Sequence, residues 1–138
     1  ALGNYWNDLP PSKWARTIPN SGHVPDHSEK NATLAAFARK VSRGESVFTP
    51  NHEFVRDGER VTLLSQPSDA QRLALWRARS TNYEFRDKEW TVLDEGGVAV
   101  QATLESPYTA LLGEWEFRQN GQPYRITTPV KVLGPSSR

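Results

Sequence analysis

Hydrophobic and polar residues alternate through much of residues 83–132, and this alternation predicts four consecutive β-strands. Side chains along a strand point to opposite faces in turn, so apolar residues spaced by two mark the buried face. Val98 and Val100 share one such face, Gln101 lies on the other, and residues 94–97 (Asp-Glu-Gly-Gly) form a turn before them. We therefore expect an antiparallel sheet with an apolar face that another layer must cover.

Glycine-containing dipeptides indicate two hairpins. Asn-Gly at residues 120–121 is a strong signal of a two-residue loop, because both central residues of a type I′ turn need positive φ. Asp-Gly at residues 57–58 predicts a second hairpin within residues 51–64. If those two residues form its loop, His52 faces Leu63 across the pair.

The first and last strands of the block contain irregular positions. Within residues 83–92 the apolar residues change from odd to even positions, so a regular strand would place them on opposite faces. One extra residue near Asp87 and Lys88 would restore a common face. This change predicts a β-bulge, with two short strands as the alternative. Pro129 predicts a kink in the last strand, because proline cannot donate to a strand ladder.

Two other stretches have the 3.6-residue spacing of amphipathic helices. The first begins at Asp26, which has capping-box spacing to Glu29, and ends before Gly44. Its apolar stripe consists of Leu34, Phe37, Ala38 and Val41. The second begins at the Ser68 and Gln71 capping box, and its stripe consists of Ala70, Leu73, Ala74 and Trp76. Each stripe is predicted to pack on the sheet.

These elements predict an α+β fold: a bent antiparallel sheet of about four long strands plus a short hairpin, packed on two helices. Residues 26–133 form the single predicted domain, which suits a chain of 138 residues. Residues 1–25 form an irregular arm that contains proline and tryptophan, and residues 134–138 form a tail.

Composition and charge exclude several classes of function. The chain has no cysteine, so it has no thiol nucleophile, thiolate metal site or disulfide. A net charge of +1 from 17 basic and 16 acidic residues argues against nucleic-acid binding. No apolar stretch approaches the roughly 20 residues of a membrane-spanning helix. No cofactor is predicted, because the sequence contains no phosphate-binding loop or metal-ligand spacing.

The order of arm, helix, hairpin, helix and four strands resembles the nuclear transport factor 2-like superfamily. The resemblance covers residues 26–133 and includes the terminal hairpin, Gly-Glu-Trp-Glu-Phe at residues 113–117 followed by Tyr-Arg-Ile at residues 124–126. It implies a cone-shaped domain whose bent sheet curls around its helices and leaves an apolar pocket. The superfamily contains isomerases, cyclases and dehydratases as well as non-catalytic carriers and assembly domains, including one of type IV secretion systems.

Catalysis in such a cone needs an inward base and an opposing hydrogen-bond donor. Glu114 and Glu116 alternate with apolar residues and are predicted to face outward. The predicted pocket is lined by His52, Tyr83, Trp90, Trp115 and Tyr124, and it would take a small apolar ligand. His52 is the candidate acid or base of an isomerase, cyclase or dehydratase. His23 and His27 near Asp26 have a spacing common by chance, so no metal site is predicted.

The favoured interpretation is a non-catalytic binding or assembly domain that acts through protein–protein contacts, as in secretion-type or other multi-subunit complexes. Tyr5, Trp6 and Trp14 are the predicted partner contacts, because aromatic residues dominate interface energy. The partner would be another protein or a second copy of the chain. The alternative for the arm is that Trp6 and Trp14 cover an edge of their own domain.

Overall fold

Eight strands and one α-helix make up the part of the chain described by this computed structural model, residues 6–10, 13–20, 27–105 and 107–135. The helix is α1 (His27–Ser42), and a 3₁₀ turn precedes it (Trp6–Asp8). The strands are β1 (His52–Asp57), β2 (Arg60–Ser65), β3 (Arg72–Ser80), β4 (Thr91–Gly96), β5 (Ala99–Thr103), β6 (Tyr108–Gln119), β7 (Gln122–Thr127) and β8 (Lys131–Leu133).

The strands form two antiparallel sheets. One sheet has the order β1-β2-β5, and the other has the order β4-β3-β6-β7, with β8 also paired to β6. The longest pairing joins β3 and β6 over nine residue pairs, from Arg72 opposite Glu116 to Ser80 opposite Tyr108. The fold is therefore α+β as predicted, but the described part of the chain contains one α-helix instead of the two predicted.

The predicted single meander over residues 83–132 is wrong, because its strands are divided between the two sheets. β4 belongs to the larger sheet, whereas β5 pairs with β2 and places Val100 opposite Leu63. This pairing buries both side chains completely. The gain from apolar burial favours the cross-sheet arrangement over a simple hairpin of β4 and β5.

The hydrophobic core lies between the two sheets. Leu63 and Val100 come from the smaller sheet, and Leu73, Leu111 and Trp115 come from the larger one. Trp115 is fully buried, and its indole N–H donates a 3.0 Å hydrogen bond to Ser65 Oγ. The tryptophan therefore fills the space between the sheets and joins them with a polar contact.

The second predicted helix is wrong, since residues 72–80 form β3. Leu73 and Leu75 face the core, and Ala74 and Ala78 on the opposite face are buried as well. A strand buried on both faces carries a nearly continuous apolar run, which also satisfies a helical spacing. The expected cap residue, Ser68, accepts the Ala70 N–H in a local turn at 3.2 Å.

The first predicted helix is confirmed as α1, and Gly44 ends it with a φ of +67°. Asp26, its predicted cap, lies outside the described residues. α1 is 16 residues long. Among the described residues, no helix combines the length and the apolar character that crossing a bilayer requires.

The hairpin at residues 120–121 is confirmed, and both Asn120 and Gly121 have positive φ. The first hairpin is shifted by two residues from its predicted register: its loop consists of Gly58 and Glu59, and His52 faces Ser65. Glycine at the first loop position, with a φ of +59°, explains the shift, because only that residue needs positive φ there.

The irregular positions are partly as predicted. Pro129 lies in the break between β7 and β8, where the register along β6 slips by one residue. Residues 83–90 form a loop instead of a strand, so no bulge occurs at Asp87. The bulge lies in β4, where Leu93 is the extra residue opposite Leu75 and Trp76.

A strap formed by residues 15–20 crosses the outer face of the larger sheet. At β7, Ala15 O accepts the Thr127 N–H at 2.8 Å, and beside β4, Asn20 Oδ1 accepts the Trp90 N–H at 2.8 Å. These strands are opposite edges of the sheet, about 14 Å apart at ordinary strand spacing. Five extended residues reach about 17 Å, so the strap spans the sheet in nearly extended form.

Gly113 on β6 packs closely against Leu63 of the smaller sheet, which yields a stability prediction. A Cβ at this position would meet Leu63 Cδ2 and would lie 3.0 Å from Thr128 Cγ2. Leu63 is fully buried, so displacing it would disturb the packing of the core around it. We expect Gly113→Ala to lower the free energy of unfolding by about 1–3 kcal/mol, measured by urea denaturation.

Gly97→Ala is the matched control, because a Cβ there meets no atom within 4 Å. We expect this substitution to change stability by less than about 0.5 kcal/mol. Equal stability of the two variants would contradict the close packing at Gly113.

Candidate functional site

The five residues of the predicted inner pocket do not form one site, because Tyr83 and Trp90 lie apart from His52, Trp115 and Tyr124. His52 and Trp115 are neighbours, with ring centroids 5.4 Å apart. Tyr124 is a core residue packed with Trp115. Tyr83 instead packs on Tyr108, with ring centroids 4.7 Å apart. Tyr108 and Trp115 are seven positions apart on β6, which is about 23 Å along a strand.

Tyr83 and Trp90 belong to the loop that precedes β4. Tyr83 is 57% exposed and has a φ of +70°. Trp90 is held by two hydrogen bonds between its backbone and the Asn20 side chain. The structure therefore places both residues away from His52, and the interior between the sheets is filled by core side chains.

His52 lines a groove of about 600 Å³ on the outside of the core. Trp6, Lys13 and Phe48 form other parts of its wall. His52 Nδ1 lies 3.0 Å from Pro50 O, and a carbonyl oxygen accepts hydrogen bonds, so Nδ1 carries the proton. Nε2 is then the acceptor nitrogen when the ring is neutral.

The described residues give no support for a metal site near His23 and His27. His23 and Asp26 lie outside them, as does the His27 side chain. Within ranges 6–10, 13–20, 27–105 and 107–135, no group of three or more His, Asp or Glu side chains could hold a metal ion.

The aromatic residues of the arm contact their own chain. Trp14 stacks on Tyr124 with ring centroids 5.4 Å apart, and its indole N–H donates to Phe48 O at 3.1 Å. Trp6 lies in the 3₁₀ turn, with Lys13 Nζ 4.4 Å from its ring centroid. Tyr5 lies outside the described residues. The arm therefore covers its own domain at Trp14, as the alternative interpretation proposed.

Helix α1 exposes the apolar stripe that was predicted to be buried. Leu34 and Val41 are 57% and 56% exposed, and Phe37 is 37% exposed. The buried residues are Thr33 and Ala36, which face the sheet. The helix thus packs through its small residues and turns its large apolar residues outward.

Hydrogen bonding to the edge strand β7 explains this rotation of α1. Thr33 Oγ1 donates a 2.7 Å hydrogen bond to the backbone carbonyl of Arg125, and Glu29 Oε1 accepts from Arg125 Nη1 at 3.1 Å. Short side chains let the helix approach the strand closely enough for the Thr33 contact. The sequence contains a signal for this orientation: a second stripe of small residues lies beside the large apolar stripe, and it consists of Ala32, Thr33 and Ala36.

The exposed stripe of α1 continues onto the arm. Phe37 packs edge-on against Trp14 with centroids 5.6 Å apart, and Trp14 is bonded to the carbonyl of Phe48, whose side chain is 56% exposed. We call this surface the α1 face. It consists of Leu34, Phe37, Ala38, Val41, Trp14 and Phe48. Phe48 also separates the His52 groove from a second cavity of about 350 Å³ lined by Trp14 and Tyr124.

A second feature missed by the sequence is a buried carboxylate on the outer face of the larger sheet. Glu114 faces away from the core as predicted, yet it is 1% exposed because the strap covers it. Arg16 Nη1 lies 3.0 Å from Glu114 Oε2, and the Trp76 indole N–H is 3.4 Å from Oε1. Arg72 and Arg125 approach Oε1 at 3.8 and 3.9 Å.

This cluster links the strap, α1 and the sheet. Arg125 also contacts Glu29 on α1 and Glu116 on β6, each at 3.1 Å. Burial acts to lower the pKa of Arg125, but Glu114, together with Glu116 and Glu29, raises it above the usual range. Arg125 therefore stays charged, and the cluster ties the strap to α1 and the sheet. Four of its charged residues also line a surface cavity of about 330 Å³: Arg16, Glu29, Glu116 and Arg125.

Comparison with protein-family models, with curated proteins and with solved structures finds no match to this chain.

The buried cluster yields a stability prediction. Glu114→Gln keeps the side-chain shape but leaves Arg16, which is 9% exposed, without its closest counter-charge. We expect a loss of about 3 kcal/mol in the free energy of unfolding, measured by urea denaturation, because an unpaired buried charge is costly. The Thr127 amide, which donates to Ala15 on the strap, should also exchange hydrogen faster.

Glu95→Gln is the control, since Glu95 pairs with Arg72 at 2.7 Å but is about half exposed. We expect it to cost less than about 1 kcal/mol. If Glu114→Gln costs no more than Glu95→Gln, the cluster does not hold the strap.

Proposed function

We propose that this chain is a non-catalytic binding or assembly domain that acts through protein–protein contacts, and that the α1 face is its contact surface. The observation that carries the proposal is the rotation of α1, which buries Thr33 and Ala36 and exposes Leu34 and Val41. Exposed stripes of large apolar residues on a helix are typical of protein-binding surfaces.

Burial of apolar area supplies the binding energy at such a surface. Leu34, Val41 and Phe48 each keep more than half of their area exposed. Covering that area on a partner stabilises the complex by roughly 1 kcal/mol for each side chain. Trp14 lies beneath the surface and is held in place, because its ring stacks on Tyr124 and its indole N–H donates a hydrogen bond to Phe48 O. A rigid aromatic backing lowers the entropy cost of binding.

The alternative is an isomerase, cyclase or dehydratase that uses His52 as acid or base. That function needs a pocket inside the fold, and Trp115 and its neighbours occupy the interior. Pro50 O orients the His52 ring, and the hydrogen bonds of the described residues give it no carboxylate partner. These observations favour the binding function over the catalytic one.

The resemblance to the nuclear transport factor 2-like superfamily enters this proposal through the superfamily's non-catalytic assembly members. An antiparallel sheet and a helix that precedes the first hairpin support it. The division of the strands between two sheets and the lack of a second helix among the described residues are departures from it.

Selection of random peptides displayed on phage tests the proposal, because it requires no identified partner. We expect the peptides enriched on the wild-type chain to bind Leu34→Gln about tenfold or more weakly, a loss of roughly 1.4 kcal/mol. Peptide affinity is measured by fluorescence anisotropy on purified variants whose folding is verified by circular dichroism.

Leu64→Gln is the matched control, because Leu64 lies on β2 and is 44% exposed. Affinity for this variant should equal that of the wild type. Enriched peptides that bind Leu34→Gln as tightly as the wild type would contradict the assignment of the α1 face.

A further inference from the structure

We propose that the partner of the α1 face is a second copy of this chain, paired through antiparallel α1 helices about a two-fold axis between Phe37 and Ala38. This inference rests on the proposed function and names its partner. It is carried by the order in which large, small and charged residues follow one another along α1.

The spacing of residues along the stripe is symmetric about its centre. Leu34 and Val41 are equally distant from the midpoint between Phe37 and Ala38. In an antiparallel pair centred there, Leu34 of one copy lies opposite Val41 of the other. A two-fold interface requires this kind of self-complementary surface, because the same residues face each other twice.

Side-chain size is complementary at the same centre. Phe37 of each copy would lie opposite Ala38 of the other. A large residue then faces a small one at the point of closest approach, which lets two helices pack at about 8–10 Å between axes. All four residues of the stripe are exposed, so the surface is available for such packing.

Opposite charges flank the stripe at equal numbers of residues from its centre. Lys30 lies seven and a half positions before the midpoint, and Glu45 lies seven and a half positions after it. Antiparallel pairing therefore places Lys30 of one copy near Glu45 of the other, twice. Parallel pairing would place like charges together, which disfavours it.

The end of α1 holds Glu45 in a defined position. The Glu45 N–H donates a 2.9 Å hydrogen bond to Lys40 O just after Gly44, which has a φ of +67°. Its carboxylate lies 3.6 Å from Lys40 Nζ and is 46% exposed, so a lysine of another copy can reach it. An exposed ion pair of this kind is weak and exchanges partners readily.

This charge pattern distinguishes a second copy from other occupants of the α1 face. An anionic membrane or an acidic helix would be favoured by cations along both sides of the stripe. At the stripe itself the two charges, Lys30 and Glu45, have opposite signs, whereas the cations of the last turn, Arg39 and Lys40, point about 110–150° away from the centre of the stripe. In an antiparallel pair of α1 helices, Lys30 of each copy is paired with Glu45 of the other, so both charges gain a partner.

The size of the surface predicts a weak dimer. A 16-residue helix is about 24 Å long. One helix face and the adjacent Phe48 fall below the roughly 800 Å² per partner of a standard stable interface. We therefore expect a dimer that dissociates on dilution, and the test must compare rates or concentrations instead of a single elution profile.

Disulfide trapping tests the position of the axis. The chain has no cysteine, so Ala38→Cys introduces a unique thiol beside the proposed axis, where two copies bring it within bonding distance. Ala35→Cys is the matched control, because Ala35 is also exposed on α1 but points about 110° away from the proposed axis at the centre of the stripe. Covalent dimer formation under mild oxidant is followed by non-reducing electrophoresis.

We expect Ala38→Cys to form the covalent dimer about tenfold or more faster than Ala35→Cys, because association raises the local thiol concentration. A smaller ratio overturns the proposed pairing.

Charge reversal tests the orientation of the helices. Lys30→Glu and Glu45→Lys should each weaken dimerisation by about threefold or more in sedimentation equilibrium, and the double variant should recover the wild-type dissociation constant. A double variant as weak as the single ones overturns the antiparallel arrangement.

The peptide selection separates this inference from the proposed function. If enriched peptides depend on Leu34 while Ala38→Cys shows no preference over Ala35→Cys, the second copy is excluded and the binding surface stands. If peptides ignore Leu34 as well, both proposals fail.

Discussion

The nine-residue pairing of β3 with β6 is the contact on which the rest of the structure depends. Its inner face carries Leu73 opposite Trp115, and the smaller sheet covers it. Its outer face carries Ala74 opposite Glu114, and the strap covers that side. Because both faces of these two strands are buried, the strap is part of the fold and the arm cannot be treated as an appendage.

Features set by local chemistry could be predicted from the sequence. The hairpin at residues 120–121 depends on two residues that tolerate positive φ, and α1 depends on a repeated spacing that ends at Gly44. β3 could not be predicted in this way. Its outer-face residues are apolar because the strap, more than 50 positions away in the sequence, covers them. The spacing within residues 72–80 does not show that contact, so it cannot distinguish a strand buried on both faces from a helix.

The candidate site was predicted only in part, because its burial also depends on contacts between distant segments. The sequence identified the residues of the α1 stripe and the importance of Trp14, but it assigned the stripe to the core. Glu114 was placed on the correct face of the sheet, but its burial was missed. Alternation along a strand shows which face a side chain is on and does not show whether another segment covers that face. His52 was identified as a candidate on a register that the Gly58 loop then shifted by two residues.

Polar contacts, more than apolar burial, fix the rotation of α1. Thr33 satisfies the carbonyl of Arg125 on an edge strand, and Glu29 binds its guanidinium, which also lies against Glu114 and Glu116. Turning the helix to bury Leu34 would break these bonds and leave the buried Thr33 hydroxyl unpaired, at about 1–3 kcal/mol. That cost offsets much of the roughly 1 kcal/mol that burial would gain for each exposed apolar side chain. A partner that covers the stripe gains the apolar burial and leaves the polar contacts intact, so the charge cluster that holds the strap also produces the exposed surface.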